Sequence, residues 1–390
     1  MATTLARGPA SVKSKRQALA AADHGCALPE DTFPQGTAAS SLEQPPALLH
    51  PNWCSTVSSA ALLSLLVIGW LYFFLLPLRW QNRRLAGPDP ELKRALAAAS
   101  RGRWEPAAQL LTTAGDDWER RALYTQRLAE LAARKGDSWL QSWRTARPGD
   151  PDAALVHART RIMYAWRLRG ARLARYTSRK RFEGFHEVLM SCRDDIAHAA
   201  SLNPQDPTPL IAEIGTALGL GYPNREMRAL WDEIVARAPH HYEAHYVALQ
   251  YWCAKWHGSK KLAREFADAA ASQAPPGSLM TALPLVAWYE NHDDEMPADA
   301  YRSPKVRALV DAALADAAAA GNHPRLPEVR HLLAHFLVKQ GRYRTAVEQF
   351  RAVDGHVDAL PWNYWPWKGL SYRANRTRAA RGALREALRH

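Results

Sequence analysis

The sequence predicts an all-α protein in which helical hairpins stack behind one transmembrane helix. Alanine, leucine and arginine dominate it, and valine, isoleucine and phenylalanine never form the alternating runs that are typical of strands. Junction prolines recur at a nearly constant interval, because Pro204, Pro239 and Pro275 are 35 and 36 residues apart. An uncharged segment of 22 residues precedes these junctions and is long enough to cross a bilayer.

The clearest hairpin lies between residues 331 and 350, with the sequence HLLAHFLVKQGRYRTAVEQF. Its apolar residues recur three and four positions apart on both sides of Gly341, which is the period of an amphipathic helix. They are Leu332, Leu333, Phe336, Leu337, Tyr343, Ala346, Val347 and Phe350. A single hairpin cannot bury its apolar face, so we expect neighbouring hairpins of the same kind.

The residues G-x-Y-x-x-A-x-x-x-F, from Gly341 to Phe350, resemble the turn and second helix of a tetratricopeptide repeat. This resemblance implies a right-handed superhelix of tetratricopeptide-like hairpins over residues 85–366. The segments LQYWCAKWHGS at 249–259 and FRAVDGHVDALPW at 350–362 also resemble a family of uncharacterised, largely actinobacterial proteins of this type. That second resemblance implies the fold and supplies no activity.

Three further segments flank the predicted helical repeats. Residues 1–52 are rich in Ala, Ser, Pro and Gly without a helical period, which predicts a disordered tail. Residues 53–80 are predicted to form a transmembrane helix, which would anchor the protein in the cell membrane through Val57–Leu78. Residues 367–390 are predicted to form a basic C-terminal tail.

The charges beside the apolar segment predict its orientation. Five basic residues follow it closely: Arg79, Arg83, Arg84, Lys93 and Arg94. Because positive charges favour the inner side, we expect a single-pass protein with its C-terminal domain in the cytoplasm. The basic cluster at residues 13–16 would favour the opposite topology if it stays inside.

The net charge of +13 comes from two basic stretches. Residues 153–182 contain nine Arg and Lys and no acid, and residues 367–390 contain seven against Glu386. Aromatic side chains interleave the first stretch at 159–181, a mixture that fits an acidic protein, anionic lipid or, less well, single-stranded nucleic acid. The competing interpretation is a solvated arginine-rich helix face whose aromatic side chains lie in the core.

We predict an interaction surface that combines this stretch with a pair of histidines. His331 and His335 are four residues apart on the first helix of the clearest hairpin, where polar faces look into the groove of a superhelix. We therefore expect this pair to contact a peptide or to be solvated rather than to bind a metal. The predicted surface is Arg161, Arg167, Arg169, Arg172, Arg175, His331 and His335.

Metal binding and catalysis have weak support in the sequence. His241, His245, Cys253 and His257 lie within 17 residues, but positions twelve apart on one helix are separated by about 18 Å, so only neighbouring pairs could share an ion. HYEAH departs from the metalloprotease pattern H-E-x-x-H, and neither G-x-S-x-G nor a phosphate-binding glycine loop occurs. We therefore predict no metal and no cofactor.

These observations predict a membrane-anchored helical-repeat scaffold that binds another protein and is not an enzyme. One alternative is a metal-dependent or acid–base enzyme that uses the 241–257 region together with His292 and Asp294. A second alternative is the binding of nucleic acid or anionic lipid through residues 159–181.

Overall fold

The computed structural model describes residues 63–65, 67–68, 81–170, 178–292 and 296–389. Within these ranges the regular structure is helical, with one isolated bridge between Asn82 and His356, and the predicted all-α class is confirmed. No helix in the same ranges has both the length and the apolar character needed to cross a membrane. The predicted tail 1–52 and most of the predicted spanning segment Val57–Leu78 lie outside the described residues.

From residue 81 onward, the described part of the chain forms sixteen α-helices. In order they are α1 (Pro90–Ala99), α2 (Glu105–Ala114), α3 (Trp118–Lys135), α4 (Ser138–Ala146), α5 (Pro151–Arg169), α6 (Arg179–Leu202), α7 (Thr208–Leu220), α8 (Asn224–Arg237), α9 (Tyr242–Trp252), α10 (Lys260–Ser272), α11 (Leu283–Asn291), α12 (Ala298–Arg302), α13 (Pro304–Ala319), α14 (Leu326–Gln340), α15 (Tyr343–Ala352) and α16 (Lys368–Ala387). Short 3₁₀ turns occupy Met280–Ala282 and Trp362–Tyr364.

Side-chain caps and glycines fix where many of these helices begin and end. Asp89 accepts a hydrogen bond from the backbone N–H of Leu92 at the start of α1, and Asp150 caps α5 in the same way. At the other end, Gly341 has φ 80° and closes α14, a conformation that glycine adopts without a steric penalty. The predicted break at Gly341 is therefore found at that residue.

Most helices pack against their neighbours in sequence. Among these neighbouring pairs, α5 with α6 and α14 with α15 have the most extensive contacts. The larger core runs from Tyr242 to Ala379 and a second core from Leu85 to Val156. Helix α16 packs on α15 and buries Tyr372 and Gly382, so much of the predicted basic tail is part of the helical domain.

Helix α3 departs from this neighbour-to-neighbour order. It packs against α5, α7 and α9, and no residue between positions 118 and 133 is exposed. Its polar side chains also reach the beginning of α14 and the loop after α15, more than 190 residues away. Helix α3 is therefore enclosed by helices from the middle and from the end of the domain.

Residues at the beginning of the domain also contact residues near its end. The backbone N–H of Asn82 donates to the carbonyl of Gly355 at 2.6 Å, and a Cβ placed at Gly87 would overlap the ring of Pro327. Because of these contacts, residues 82–87 lie beside α14.

Candidate functional site

Buried ion pairs surround α3 and join helices that are distant in sequence. The Arg121 guanidinium donates from Nη2 to Asp152 Oδ1 at 2.6 Å and to Asp206 Oδ2 at 2.9 Å. The other oxygen of Asp206 accepts the backbone N–H of Thr208 at 2.8 Å and so sets the start of α7. Arg121 therefore ties α3 to α5 and α7, and both carboxylates already have partners within the fold.

Glu243, at the start of α9, lies between two guanidiniums. Arg159 Nη1 donates to Glu243 Oε1 at 3.0 Å, and Arg325 Nη2 donates to Glu243 Oε2. Arg325 also donates to Gln126 Oε1 on α3 at 2.7 Å. Burial alone would raise the pKa of Glu243, but the two guanidiniums outweigh it and lower that pKa to about 2.

Arg127 makes the third of these connections. Its guanidinium is 2.8 Å from Asp358 Oδ2 and 3.7 Å from Glu328 Oε1, and it also pairs with Glu130 one turn along α3. The sequence pattern did not reveal these long-range partners, because residues that are 31 to 231 positions apart carry no local signal. The one hint was the presence of charged residues on the apolar faces of α3 and α9.

Among the four candidate metal ligands of the 241–257 region, the three histidines form separate hydrogen bonds with the backbone, and Cys253 is buried. His241 Nε2 is 3.1 Å from the carbonyl of Trp118, and His245 Nδ1 is 3.0 Å from the carbonyl of His241. Burial lowers the pKa of His245 to about 4, which keeps its ring neutral. His257 bonds to the carbonyl of Leu218 instead.

Across the described ranges, no three His, Cys, Asp or Glu side chains are grouped so that they could hold a metal ion. Of the other two residues of the enzyme alternative, His292 bonds to the backbone of the helix that it follows. His292 bonds through Nδ1 to the carbonyl of Trp288 at 2.6 Å, and Asp294 lies outside the described residues.

His331 and His335 do not face an open groove, as the sequence had suggested, because both side chains are buried. His331 is fully enclosed; its Nε2 donates to the carbonyl of Ala86 at 2.7 Å, and its Nδ1 accepts from Trp362 Nε1 at 3.0 Å. His335 packs among the rings of Tyr289, Tyr301, Phe336 and Trp362. Residues 82–87 and the 3₁₀ turn at Trp362 cover this face of α14, which sequence periodicity cannot show.

The basic stretch is divided between structural and exposed roles. Arg161 Nη1 donates to Asp195 Oδ2 at 2.5 Å, while Arg167 is exposed and donates to the carbonyl of Ala133 at 2.6 Å. The Arg169 guanidinium lies 5.7 Å from the ring centroid of Trp166. Arg172 and Arg175 lie outside the described residues.

An exposed basic surface remains where α5 ends and α6 begins. We call it the hairpin surface and define it by Arg167, Arg179, Lys180 and Arg181, all four of which are exposed. The two helix ends meet here, because Arg169 of α5 also stacks on the ring of Phe182 in α6 at 5.8 Å. Arg179 pairs with Glu183 at 2.7 Å on the exposed side of α6, a contact that contributes little to stability.

A cleft of about 240 Å³ lies beside this hairpin, between the α4–α5 turn and α6. Its polar lining is already paired internally: His157 is 3.4 Å from Arg144 and 3.7 Å from Asp195, and Asp150 accepts from Trp143 at 3.0 Å. The sequence pattern gave no indication of this cleft, whose charges of both signs fit no particular ligand.

No family model matches the chain, and neither the curated proteins nor the solved structures contain one that matches it.

Proposed function

We propose that the chain is a membrane-anchored, non-catalytic scaffold that binds an acidic protein partner through the hairpin surface. The observation that carries this proposal is the division of charge: the buried Arg121 and Arg159 pair with carboxylates inside the domain, while the hairpin surface is exposed and basic. The anchor would be Val57–Leu78, and the basic residues that follow it favour a cytoplasmic domain.

The repeat spacing favours a tetratricopeptide-like right-handed superhelix, and such arrays present their binding surface on the concave side. Here α3 is enclosed by other helices of the chain, and its removal would open the core that contains Leu123, Tyr124 and Leu128. We therefore place the partner on the outside of the array.

The position of the aromatic side chains favours a protein over single-stranded nucleic acid. Trp166 packs edge-on against Phe185 and Trp256, with ring centroids 4.9 Å and 5.5 Å away. Its ring is therefore occupied by contacts within the domain. Tyr164 is the aromatic side chain of the described part of the stretch that is exposed, at 49 %. A base-stacking platform normally uses successive free rings, whereas an acidic protein surface needs the exposed cations alone.

Crosslinking in native membranes tests the proposal. The full chain is compared with a variant in which Arg167, Arg179, Lys180 and Arg181 are replaced by Glu, and with a control carrying Glu at the exposed Arg101, Arg103, Arg225 and Arg264. We expect one acidic protein to crosslink to the parent chain and the control, to be lost from the hairpin variant, and to weaken as salt rises. Equal yields from all three chains would refute the hairpin surface, and loss on nuclease treatment would favour nucleic acid.

A further inference from the structure

The last helix, α16, has two unlike sides. Its inner side buries Gly369, Tyr372, Ala379 and Gly382 against the rest of the domain. Its outer side exposes Leu370, Leu384 and Leu388, which are 42 %, 61 % and 78 % accessible. Leu384 and Leu388 are one turn apart on this side, and Leu370 lies about four turns before Leu384.

Basic residues share this outer side with the leucines. At about 100° per residue, Leu370, Leu384, Leu388, Arg378, Arg381 and Arg385 all fall within about 60° of the line through Arg381. We call these six residues the terminal face. Trp367, which directly precedes α16, is also exposed, at 62 %.

The charge of the terminal face is not neutralised by the protein. Lys368 pairs with Asp358 at 2.7 Å and Arg376 with Asp354 at 3.2 Å, but both lie outside the terminal face. The acidic residue of α16, Glu386, is 3.8 Å from Arg344. In the described part of the chain, Arg378, Arg381 and Arg385 form no ion pair, so the terminal face presents cations and apolar groups together.

The combination of cations and apolar groups indicates which kind of partner the terminal face fits. A second copy of the terminal face would bring arginines against arginines, which repel each other. An anionic bilayer satisfies both kinds of residue, because leucine and tryptophan enter the headgroup boundary while arginine reaches back to the phosphates. Basic residues near a negatively charged leaflet are attracted to it as well.

The start of α16 contacts the segment that follows the predicted anchor in the sequence. Lys368 Nζ donates to the carbonyl of Arg83 at 2.9 Å. Arg83 lies five residues after Leu78, the last residue of the predicted anchor.

We propose that the terminal face docks α16 in the interface of a membrane that contains anionic lipid. This goes beyond the scaffold function and does not depend on the hairpin surface. It would hold the domain in one orientation on the bilayer.

Spin labelling of the full chain tests this proposal. Cys26 and Cys54 are replaced by Ser, Cys192 and Cys253 are buried, and a nitroxide is attached at the exposed position Ala374→Cys. The labelled chain is placed in nanodiscs of phosphatidylcholine alone or with about one third phosphatidylglycerol. Accessibility of the label to oxygen and to a water-soluble nickel chelate is then measured by electron paramagnetic resonance.

We expect chelate accessibility to fall at least threefold in the phosphatidylglycerol discs and to stay aqueous in phosphatidylcholine. Arg378→Glu, Arg381→Glu and Arg385→Glu together should restore the aqueous value, as should the milder Arg→Gln set, while Glu at Arg101, Arg103 and Arg264 should leave the protection unchanged. The same aqueous value in both lipids would overturn the proposal. Protection that depends on protein concentration rather than on lipid would also overturn it, in favour of self-association.

Discussion

Glu243 shows how a single buried residue holds distant helices together. Its carboxylate is shared by Arg159 of α5 and by Arg325, which directly precedes α14. Replacing Glu243 by Gln would leave two guanidiniums buried with less compensation, and breaking such a network costs about 3–5 kcal/mol. We expect Glu243→Gln to lower the free energy of unfolding by that amount at pH 7 in urea titrations.

The exposed pair between Lys261 and Glu265 provides the matched control, since Glu265→Gln should change stability by less than about 1 kcal/mol.

The contribution of Glu243 to stability depends on pH. Because the pKa of Glu243 falls to about 2 on folding, its contribution is present above pH 4.5 and is lost as the pH falls towards 2. A parent chain and a Glu243→Gln variant that lose stability equally between pH 5 and pH 3 would contradict this role.

His331 makes stability depend on pH over a higher range. Burial lowers its pKa to about 4, so its contribution is present above pH 6.5 and disappears as the pH falls to 4, by about 3 kcal/mol. We expect His331→Phe to destabilise the domain at pH 7, because Trp362 and Ala86 each lose a partner, and to make the decline below pH 6.5 shallower. The exposed His198→Gln variant should keep the steep decline of the parent, measured by urea titration at pH 7, 6 and 5.

Among the elements, α16 is positioned by close approach at Gly382. A Cβ at this position would overlap the ring of Tyr343 in α15. We expect Gly382→Ala to destabilise the domain by about 1–3 kcal/mol and to increase amide exchange in α16. Gly184 lies in the second turn of α6, and a Cβ there would have no atom within 4 Å. Gly184→Ala should therefore stabilise the domain by about 0.5–1 kcal/mol.

The elements that the sequence predicted well are those with local signals. The break at Gly341 and the hairpin around it depend on residues within twenty positions of each other. The burial of α3 follows from packing against helices up to 231 residues away, which periodicity cannot show. For the same reason His331 was expected in a groove, because nothing near it in sequence indicates that Ala86 covers it.

At the scale of the whole domain, α3 links helices that are not neighbours in sequence. Arg121 connects it to α5 and α7, whereas Arg127 connects it to α14 and to Asp358. In an open repeat array, each unit contacts only the next, and a local change spreads little. Here a change in α3 should be transmitted to both the middle and the end of the domain.

Replacing Arg127 by Leu tests that expectation. The variant leaves Glu328 and Asp358 with fewer buried partners, so we expect a loss of about 3–5 kcal/mol. Hydrogen exchange followed by mass spectrometry should show faster exchange in α3 and also in α14 and residues 355–358, which are more than 190 residues away. Arg344→Leu, which removes an exposed pair with Glu386, should affect α15 and α16 alone. Faster exchange confined to α2, α3 and α4 in the Arg127→Leu protein would mean that the domain behaves as an open stack.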